Sequence, residues 1–195
     1  MQHHYKKNIF FFRHGETDWN VERRIKGQLE DINTVFTDNG IKQIENLAIS
    51  FKERNIEIIF ASDLERSKSS AISANRKLNL PISFHKELRG LNFGRYQGCL
   101  LNDFINQKDV IEAFNDYNRP IPEGESINQL NNRLITFLEK IVCEVPYKNI
   151  AIVTHRVAMG NLRAAVSGDN YVSIDSCVLS YLNNTFKVVE YKIRL

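Results

Sequence analysis

The sequence is poor in the features that mark secreted and membrane-spanning proteins. It has three cysteines, Cys99, Cys143 and Cys177, and they form no CxxC pair and no metal-ligand spacing. An odd number of unpatterned cysteines favours a reduced compartment over a disulfide framework. The first apolar run, residues 9–12, is too short for the core of a signal peptide, and no window approaches the roughly 20 apolar residues of a membrane-spanning helix. These absences predict a cytoplasmic protein with no membrane partner.

Internal repeats, low-complexity tracts and linkers rich in Pro, Gly or Ser are also missing. We therefore expect one continuous domain over residues 1–195. Apolar residues make up 43% of the chain and charged residues 25%, a balance typical of soluble globular proteins with a real core. The formal net charge of +3 is too small to indicate a nucleic-acid partner, and nothing in the sequence indicates an oligomeric state.

Short, mainly apolar runs are the most regular feature that is present. Such runs are typical of strands buried on both faces of a sheet. They occupy residues 9–12, 56–61 (broken by Glu57), 150–153, 178–182 (broken by Ser180) and 186–191 (broken by Lys187 and Glu190). Asn183 and Asn184 separate the last two runs and predict a tight hairpin, and so an antiparallel edge at the C-terminal end of the sheet.

Helical spacing lies between these runs. Thr37 or Asp38 is a suitable cap for a first amphipathic helix. Ser126 and Gln129 form a capping-box pair at the start of a second, which Pro146 ends. A third follows His155. Alternating strands and helices predict an α/β fold with a mainly parallel sheet covered on both faces.

The charged residues next to these strands are the candidates for function. The stretch "NIFFFRHGETDWN" ends its strand on Arg13 and His14, the second strand leads to Arg66, and the strand at 150–153 ends before His155. Ligands of open parallel sheets collect at the carboxyl ends of the strands. We therefore expect two arginines and two histidines to converge on one crevice.

Such a group is suited to phosphoryl chemistry. Guanidinium groups are permanently charged and bind phosphoryl oxygens bidentately. A neutral imidazole is a nucleophile, while a second, protonated imidazole supports the developing charge. Gly15 permits a tight turn, and its carbonyl is placed to fix the other ring nitrogen of His14. No metal motif and no phosphate-binding GxxxxGKS/T loop is present, so we expect chemistry at histidine without metal or cofactor.

Four motifs in this order, RHGETDWN, SDLERSKSSA, PEGES and VTHRVAMGNLR, resemble the histidine phosphatase superfamily in its phosphoglycerate mutase-like branch. The resemblance runs from Phe10 to about Gly168. It implies a three-layer α/β/α sandwich and a transient phosphohistidine at His14. The residues that it implies for the phosphate pocket and the substrate contacts are Arg13, Arg66, His155, Asn20 and Thr17.

One position departs from that branch. Its general acid is a glutamate within L-R-E-x-x-F-G-x-x-x-G, and the corresponding segment, Glu87–Gly98, has Gly90 at that place. In the acid phosphatase branch the acid follows the second histidine, where this chain has Arg156. Glu87 is a candidate replacement three residues upstream. General acid assistance contributes about 10²- to 10⁴-fold, so its loss slows turnover without abolishing it.

The resemblance and the residues together predict a phosphatase that hydrolyses a small phosphorylated substrate. A phosphate-binding or regulatory protein with an impaired site is the alternative. A phosphoglycerate mutase is disfavoured because the interval 94–124 is short and has few cations, chiefly Arg95, Lys108 and Arg119. The cations Arg23, Arg24 and Lys26 are candidates for attracting an anionic substrate, although a solvated face is the default expectation. Near the changed loop, His85 is a candidate for function but is expected at the surface, and Cys99 is a candidate reactive thiol but is expected to be a buried structural cysteine.

Overall fold

A mixed sheet forms the centre of the computed structural model, which describes residues 7–30, 35–167 and 189–193. The order of its strands is β3-β2-β4-β1-β5, in which β1 to β4 pair in parallel and β5 pairs antiparallel with β1 at one edge. The hairpin predicted at Asn183 and Asn184 lies outside the described residues and stays a prediction. The strands are β1 (Lys7–Arg13), β2 (Ile58–Ser62), β3 (Ile82–His85), β4 (Asn149–Thr154) and β5 (Val189–Ile193).

Helices connect these strands, and three of them begin where the sequence predicts. The Thr37 hydroxyl accepts a hydrogen bond from Gly40 at the start of α2. Ser126 and Gln129 exchange hydrogen bonds of 2.8 and 3.1 Å at the start of α6, which confirms the capping box. The helices in the described residues are α1 (Asp18–Val21), α2 (Asp38–Glu53), α3 (Glu65–Asn75), α4 (Leu101–Ile105), α5 (Lys108–Asn115), α6 (Ile127–Glu144) and α7 (Arg156–Ser167).

Both faces of the sheet are covered, as the continuous apolar runs predict. Phe11 and Ile152 pack into one core with residues of α6 and α7. Phe10 and Phe12 point the other way, into a second core with Phe51 of α2. Burying one such side chain stabilises the fold by about 1.5–3 kcal/mol. The predicted three-layer α/β/α arrangement is confirmed.

Some elements were not predicted from the sequence. The strand β3 is half-buried along its length, so it shows neither a continuous apolar run nor a clear alternation. The helix α5 buries Val110, Ala113 and Phe114, whose spacing is typical of one face of a helix. None of the helices in the described part of the chain is long and apolar enough to cross a membrane.

The parallel strands bring the predicted site residues to one edge. Arg13, the last residue of β1, pairs with Thr154, the last residue of β4. The next residue of each strand is a histidine, and the His14 N–H donates to the Thr154 carbonyl at 3.1 Å. His14 and His155 are therefore neighbours because the register of two adjacent strands makes them so.

The loop that carries Gly90 is held by Arg133 of α6. The Arg133 guanidinium donates to the carbonyls of Glu87 and Arg89 at 2.6 and 2.7 Å. It also donates to the Gly90 carbonyl at 2.8 Å. The Glu125 carboxylate accepts two further hydrogen bonds from the Arg133 guanidinium, at 2.7 and 2.9 Å, in a largely buried ion pair. One side chain thus binds three backbone carbonyls within residues 87–90, beside the site.

Replacing Arg133 by Met should destabilise the protein strongly. The change leaves the Glu125 carboxylate and several carbonyls without their donor, and breaking a buried pair costs about 3 kcal/mol. The control is Arg119→Met, because Arg119 is 50% exposed and its pair with Glu112 lies at the surface, where such a pair contributes less than about 1 kcal/mol. Urea unfolding measures both; similar losses in the two variants would contradict the proposed clamp.

Candidate active site

The ring of His14 is held with one nitrogen ready to react. Its Nδ1–H donates to the Gly15 carbonyl at 2.7 Å, as the sequence predicts. Arg66 Nε–H donates to the other nitrogen, Nε2, at 3.2 Å. Because a guanidinium only donates, Nε2 must carry the lone pair. The histidine is 4% exposed and is fixed in the tautomer that a nucleophile at Nε2 requires.

Arg66 is the residue that links several parts of the site. It lies in the first turn of α3 and is buried, so the alternative of a solvated helix residue is wrong. Besides His14, its Nη2 donates to the Gly27 carbonyl at 2.6 Å. Its Nη1 lies 3.5 Å from Glu30 Oε1. These contacts orient the guanidinium next to the nucleophile.

His155 lies opposite His14. The centroids of the two rings are 5.2 Å apart. Nε2 of His155 shares a 2.8 Å hydrogen bond with the Ser62 hydroxyl at the end of β2. Its Nδ1 is buried and has no hydrogen-bond partner among the described residues, so this nitrogen is available to a ligand.

These residues surround a small cavity of about 40 Å³, room for roughly three water molecules. The volume suits a phosphoryl group whose leaving group extends outward. Its lining includes four cationic side chains and no carboxylate. The polar and charged lining residues are Arg13, His14, Asn20, Lys26, Arg66, His155 and Arg156.

The electrostatics of the cavity keep both imidazoles neutral. Burial, followed by the charges of Arg66 and Arg13, lowers the pKa of His14 well below its usual value of 6.5. Burial and the charge of Arg66 do the same to the pKa of His155. Burial and these charges oppose the protonated form that the sequence analysis expects of His155. A bound anion favours the protonated form and would raise both pKa values again.

Gly15 is needed for a different reason from the tight turn expected. Its backbone is not in the left-handed region, but a Cβ there would lie 2.8 Å from the Gly40 carbonyl oxygen. A Cβ on Gly40 would in turn lie 2.0 Å from the Glu16 carbonyl oxygen. Two glycines thus let the start of α2 pack directly against the backbone that follows His14.

The two residues expected to contact substrate differ in position. Asn20 lines the cavity, and its Oδ1 accepts the Thr17 N–H at 3.1 Å. Thr17 is buried but is not part of the cavity lining. The structure therefore brings Asn20 to the site and gives Thr17 a supporting position behind it.

Gly90 occupies the place that the resemblance gives to the general acid. It lines the cavity, and a Cβ built on it would lie 3.2 Å from the Cβ of His155. Its φ is not positive, so its backbone is open to other residues. Glu87 points away, with Oε2 3.9 Å from Nδ1 of His85, and lines a separate cavity of about 520 Å³. The Gln28 side-chain amide donates to the Gly90 carbonyl between the two cavities, at 2.9 Å.

Three charged residues of the site were not predicted from the sequence. Lys26 is 5% exposed and lines the cavity, so the expected solvated position is wrong for it. Arg156 also lines the cavity, although the sequence indicated only that it replaces an acid. Glu30 reaches Arg66 from outside the cavity. The sequence around Lys26 shows neither helical nor strand periodicity, because the loop that buries this residue has no regular secondary structure.

The remaining candidates lie elsewhere. His85 bonds to Ser83 at 2.8 Å and packs against Phe137, and it is not in the cavity lining. Cys99 is half-buried. Among residues 7–30, 35–167 and 189–193, no cluster of three or more His, Cys, Asp or Glu side chains is arranged to hold a metal ion.

Comparisons with known proteins identify the relatives of this chain. GpmB of Escherichia coli, named as a probable phosphoglycerate mutase, is 32% identical over 165 residues, which cover 82% of this chain and 74% of that protein. The alpha-ribazole phosphatase of Shigella flexneri has a TM-score of 0.72 at 25% identity, over 90% of this chain and 83% of that chain.

A mycobacterial glucosyl-3-phosphoglycerate phosphatase with VO3 has a TM-score of 0.74 over 96% of this chain and 98% of that chain. Its identity is 20%, so this likeness concerns the fold alone. The family model of the histidine phosphatase superfamily, branch 1, matches residues 9–192. The two histidines at adjacent strand ends lie within that match, and the chain belongs to the histidine phosphatase superfamily, branch 1.

Proposed function

We propose that this protein is a metal-independent phosphatase that hydrolyses small phosphomonoesters through a phosphohistidine at Nε2 of His14. The observation that carries the proposal is the pair of contacts at that ring. Gly15 holds Nδ1–H and Arg66 donates to Nε2, so the Nε2 lone pair is fixed beside a guanidinium that lines the same cavity. A phosphate dianion entering it meets a neutral nucleophile and fixed positive charge at once.

In the first step the phosphoryl group binds between the two imidazoles. Arg13 and Arg66 neutralise its oxygens, and the Nε2 lone pair forms the bond to phosphorus as the ester oxygen leaves. The dianion raises the pKa of His155, which then donates a hydrogen bond to the transferring group. In the second step water attacks phosphorus and His14 is released.

The positions of the cations in residues 94–124 favour hydrolysis over mutase chemistry. A mutase must hold a second anionic group and rebind its intermediate. Arg95 pairs with Asp109, while Lys108 and Arg119 both pair with Glu112. None of these cations lines the cavity of His14.

A second candidate function is phosphate binding without efficient turnover. The observation that favours it is the cavity lining, which has Gly90 and no carboxylate among the described residues. Such a protein would keep the affinity for phosphate and lose the proton transfer to an alkoxide leaving group. Esters with good leaving groups separate the two functions, because their departure needs little protonation.

Phosphorylation of His14 is directly testable. Incubation with p-nitrophenyl phosphate and rapid quenching should give a protein heavier by one acid-labile phosphoryl group. The His14→Gln variant should lose this adduct and at least about 10³-fold in turnover, since the nucleophile is gone. His85→Gln is the control and should keep both. An adduct of unchanged yield in His14→Gln would place the nucleophile elsewhere.

Restoring the carboxylate with Gly90→Glu should raise turnover of alkyl phosphates by about 10²-fold or more. Its carboxyl would lie beside His155, whose ring must give by a few tenths of an ångström. Gly90→Ala adds the same Cβ without the acid and measures the cost of that crowding. If Gly90→Glu is no faster than Gly90→Ala on alkyl phosphates, a carboxylate at this position does not serve the reaction.

Stability should fall in mild acid because the two buried histidines resist protonation. Below about pH 6.5 the unfolded histidines bind protons that the folded ones do not, and each contributes a loss of about 1.4 kcal/mol per pH unit. Two together give about 2.7 kcal/mol per unit, until their lowered pKa values are reached. Urea unfolding between pH 7.5 and 5.5 measures this slope. It should be clearly smaller in His14→Gln/His155→Gln; an unchanged slope would exclude these histidines as its source.

A further inference from the structure

The proposed reaction needs a proton for the leaving oxygen, and no carboxylate in the described cavity is placed to give it. Gly90 has no side chain, Glu87 lines the neighbouring cavity, and Glu30 contacts Arg66 from outside. The arginines in the lining keep their protons at any ordinary pH. His14 is the nucleophile. His155 has a hydrogen bond to Ser62 and faces the phosphoryl group.

Apart from the two histidines, Lys26 is the one side chain of the described lining that can exchange a proton. An ammonium carries three donors and is protonated before substrate arrives. Its pKa near 10 in water lies below that of an aliphatic alcohol, so transfer to an alkoxide is downhill. Buried lysines take part in acid and base catalysis for this reason.

The position of Lys26 supports this role. The side chain is buried and lines the same cavity as His14 and Gly90, and its charge contributes to lowering the pKa of His14. Its Nζ lies 4.8 Å from the centre of the Trp19 ring. That cation–π contact helps to hold the ammonium in place.

We propose that Lys26 is the general acid and base of this protein, in place of the carboxylate missing at Gly90. The inference rests on the proposed phosphatase function. As the His14 lone pair forms the N–P bond, the P–O bond breaks, its electron pair stays on oxygen, and a Lys26 Nζ–H proton passes to that oxygen. In the second step the neutral amine takes a proton from the attacking water. The N–P bond then breaks, its electrons return to His14, and phosphate leaves.

The test compares two Lys26 variants on phosphate esters of rising leaving-group basicity: p-nitrophenyl, phenyl and an alkyl phosphate. Lys26→Arg keeps the charge and the stacking on Trp19 but holds its protons, whereas Lys26→Met removes both charge and proton. In both variants the ratio of kcat on the alkyl ester to kcat on the p-nitrophenyl ester should fall by about 10²-fold or more. Orthovanadate affinity should be retained better in Lys26→Arg than in Lys26→Met.

Several outcomes would overturn the proposal. A Lys26→Arg variant that keeps the parent's alkyl-to-aryl ratio shows that Lys26 supplies charge and not a proton. A selective loss on alkyl esters in Glu30→Gln or Glu87→Gln assigns the proton to that carboxylate. A parent protein that turns over p-nitrophenyl phosphate but no alkyl ester has no proton donor at all. Addition of Gly90→Glu to Lys26→Met should instead recover the alkyl ratio, since it restores a donor without restoring Lys26.

The phosphohistidine experiment separates this proposal from the function on which it rests. If p-nitrophenyl phosphate labels His14 and Lys26→Arg shows no selective defect, only the role of Lys26 fails. If His14 is never labelled, the proposed function fails first.

Discussion

The parallel pairing of β1 with β4 is the constraint on which the site depends. It sets Arg13 opposite Thr154, so that the chain leaves both strands at the same height and places His14 beside His155. The ring distance of 5.2 Å follows from the spacing of neighbouring strands and the hydrogen bond between their ends. Because both strands are buried on both faces, a slip of one residue would exchange the two cores as well as the site residues. The strand pairing that stabilises the fold therefore also fixes the positions of His14 and His155.

Charge is distributed unevenly over this scaffold. Cations line the cavity, whereas the carboxylates of the region lie outside its lining. Each of them pairs with an arginine: Glu30 with Arg66, Asp63 with Arg89 and Glu125 with Arg133. Burial and cations keep the imidazoles neutral until an anion enters. A bound phosphoryl group would compensate the positive charge of the lining, and this compensation is a physical basis for selecting dianions.

The loop that carries Gly90 is held in place by contacts of its backbone. The Gly90 carbonyl is bound by Arg133 and Gln28 and its backbone keeps an ordinary conformation, so the loop follows its path whatever side chain stands there. A lysine buried on the opposite loop lies in the same cavity, and chemistry of this kind needs a proton donor within reach, not a donor at a particular point of the chain.

The sequence by itself determined the central strands and the capped helices α2 and α6, because buried strands and helix caps leave local patterns. It placed Arg13, His14 and His155 at strand ends, and the resemblance of its motifs singled out Arg66. Only the tertiary structure decided that Lys26 and Arg156 line the cavity, that Thr17 stands behind Asn20, and that Glu87 faces away. These positions depend on loops whose course is set by distant contacts such as Arg133 with the Gly90 carbonyl, and no periodicity along the chain records such contacts.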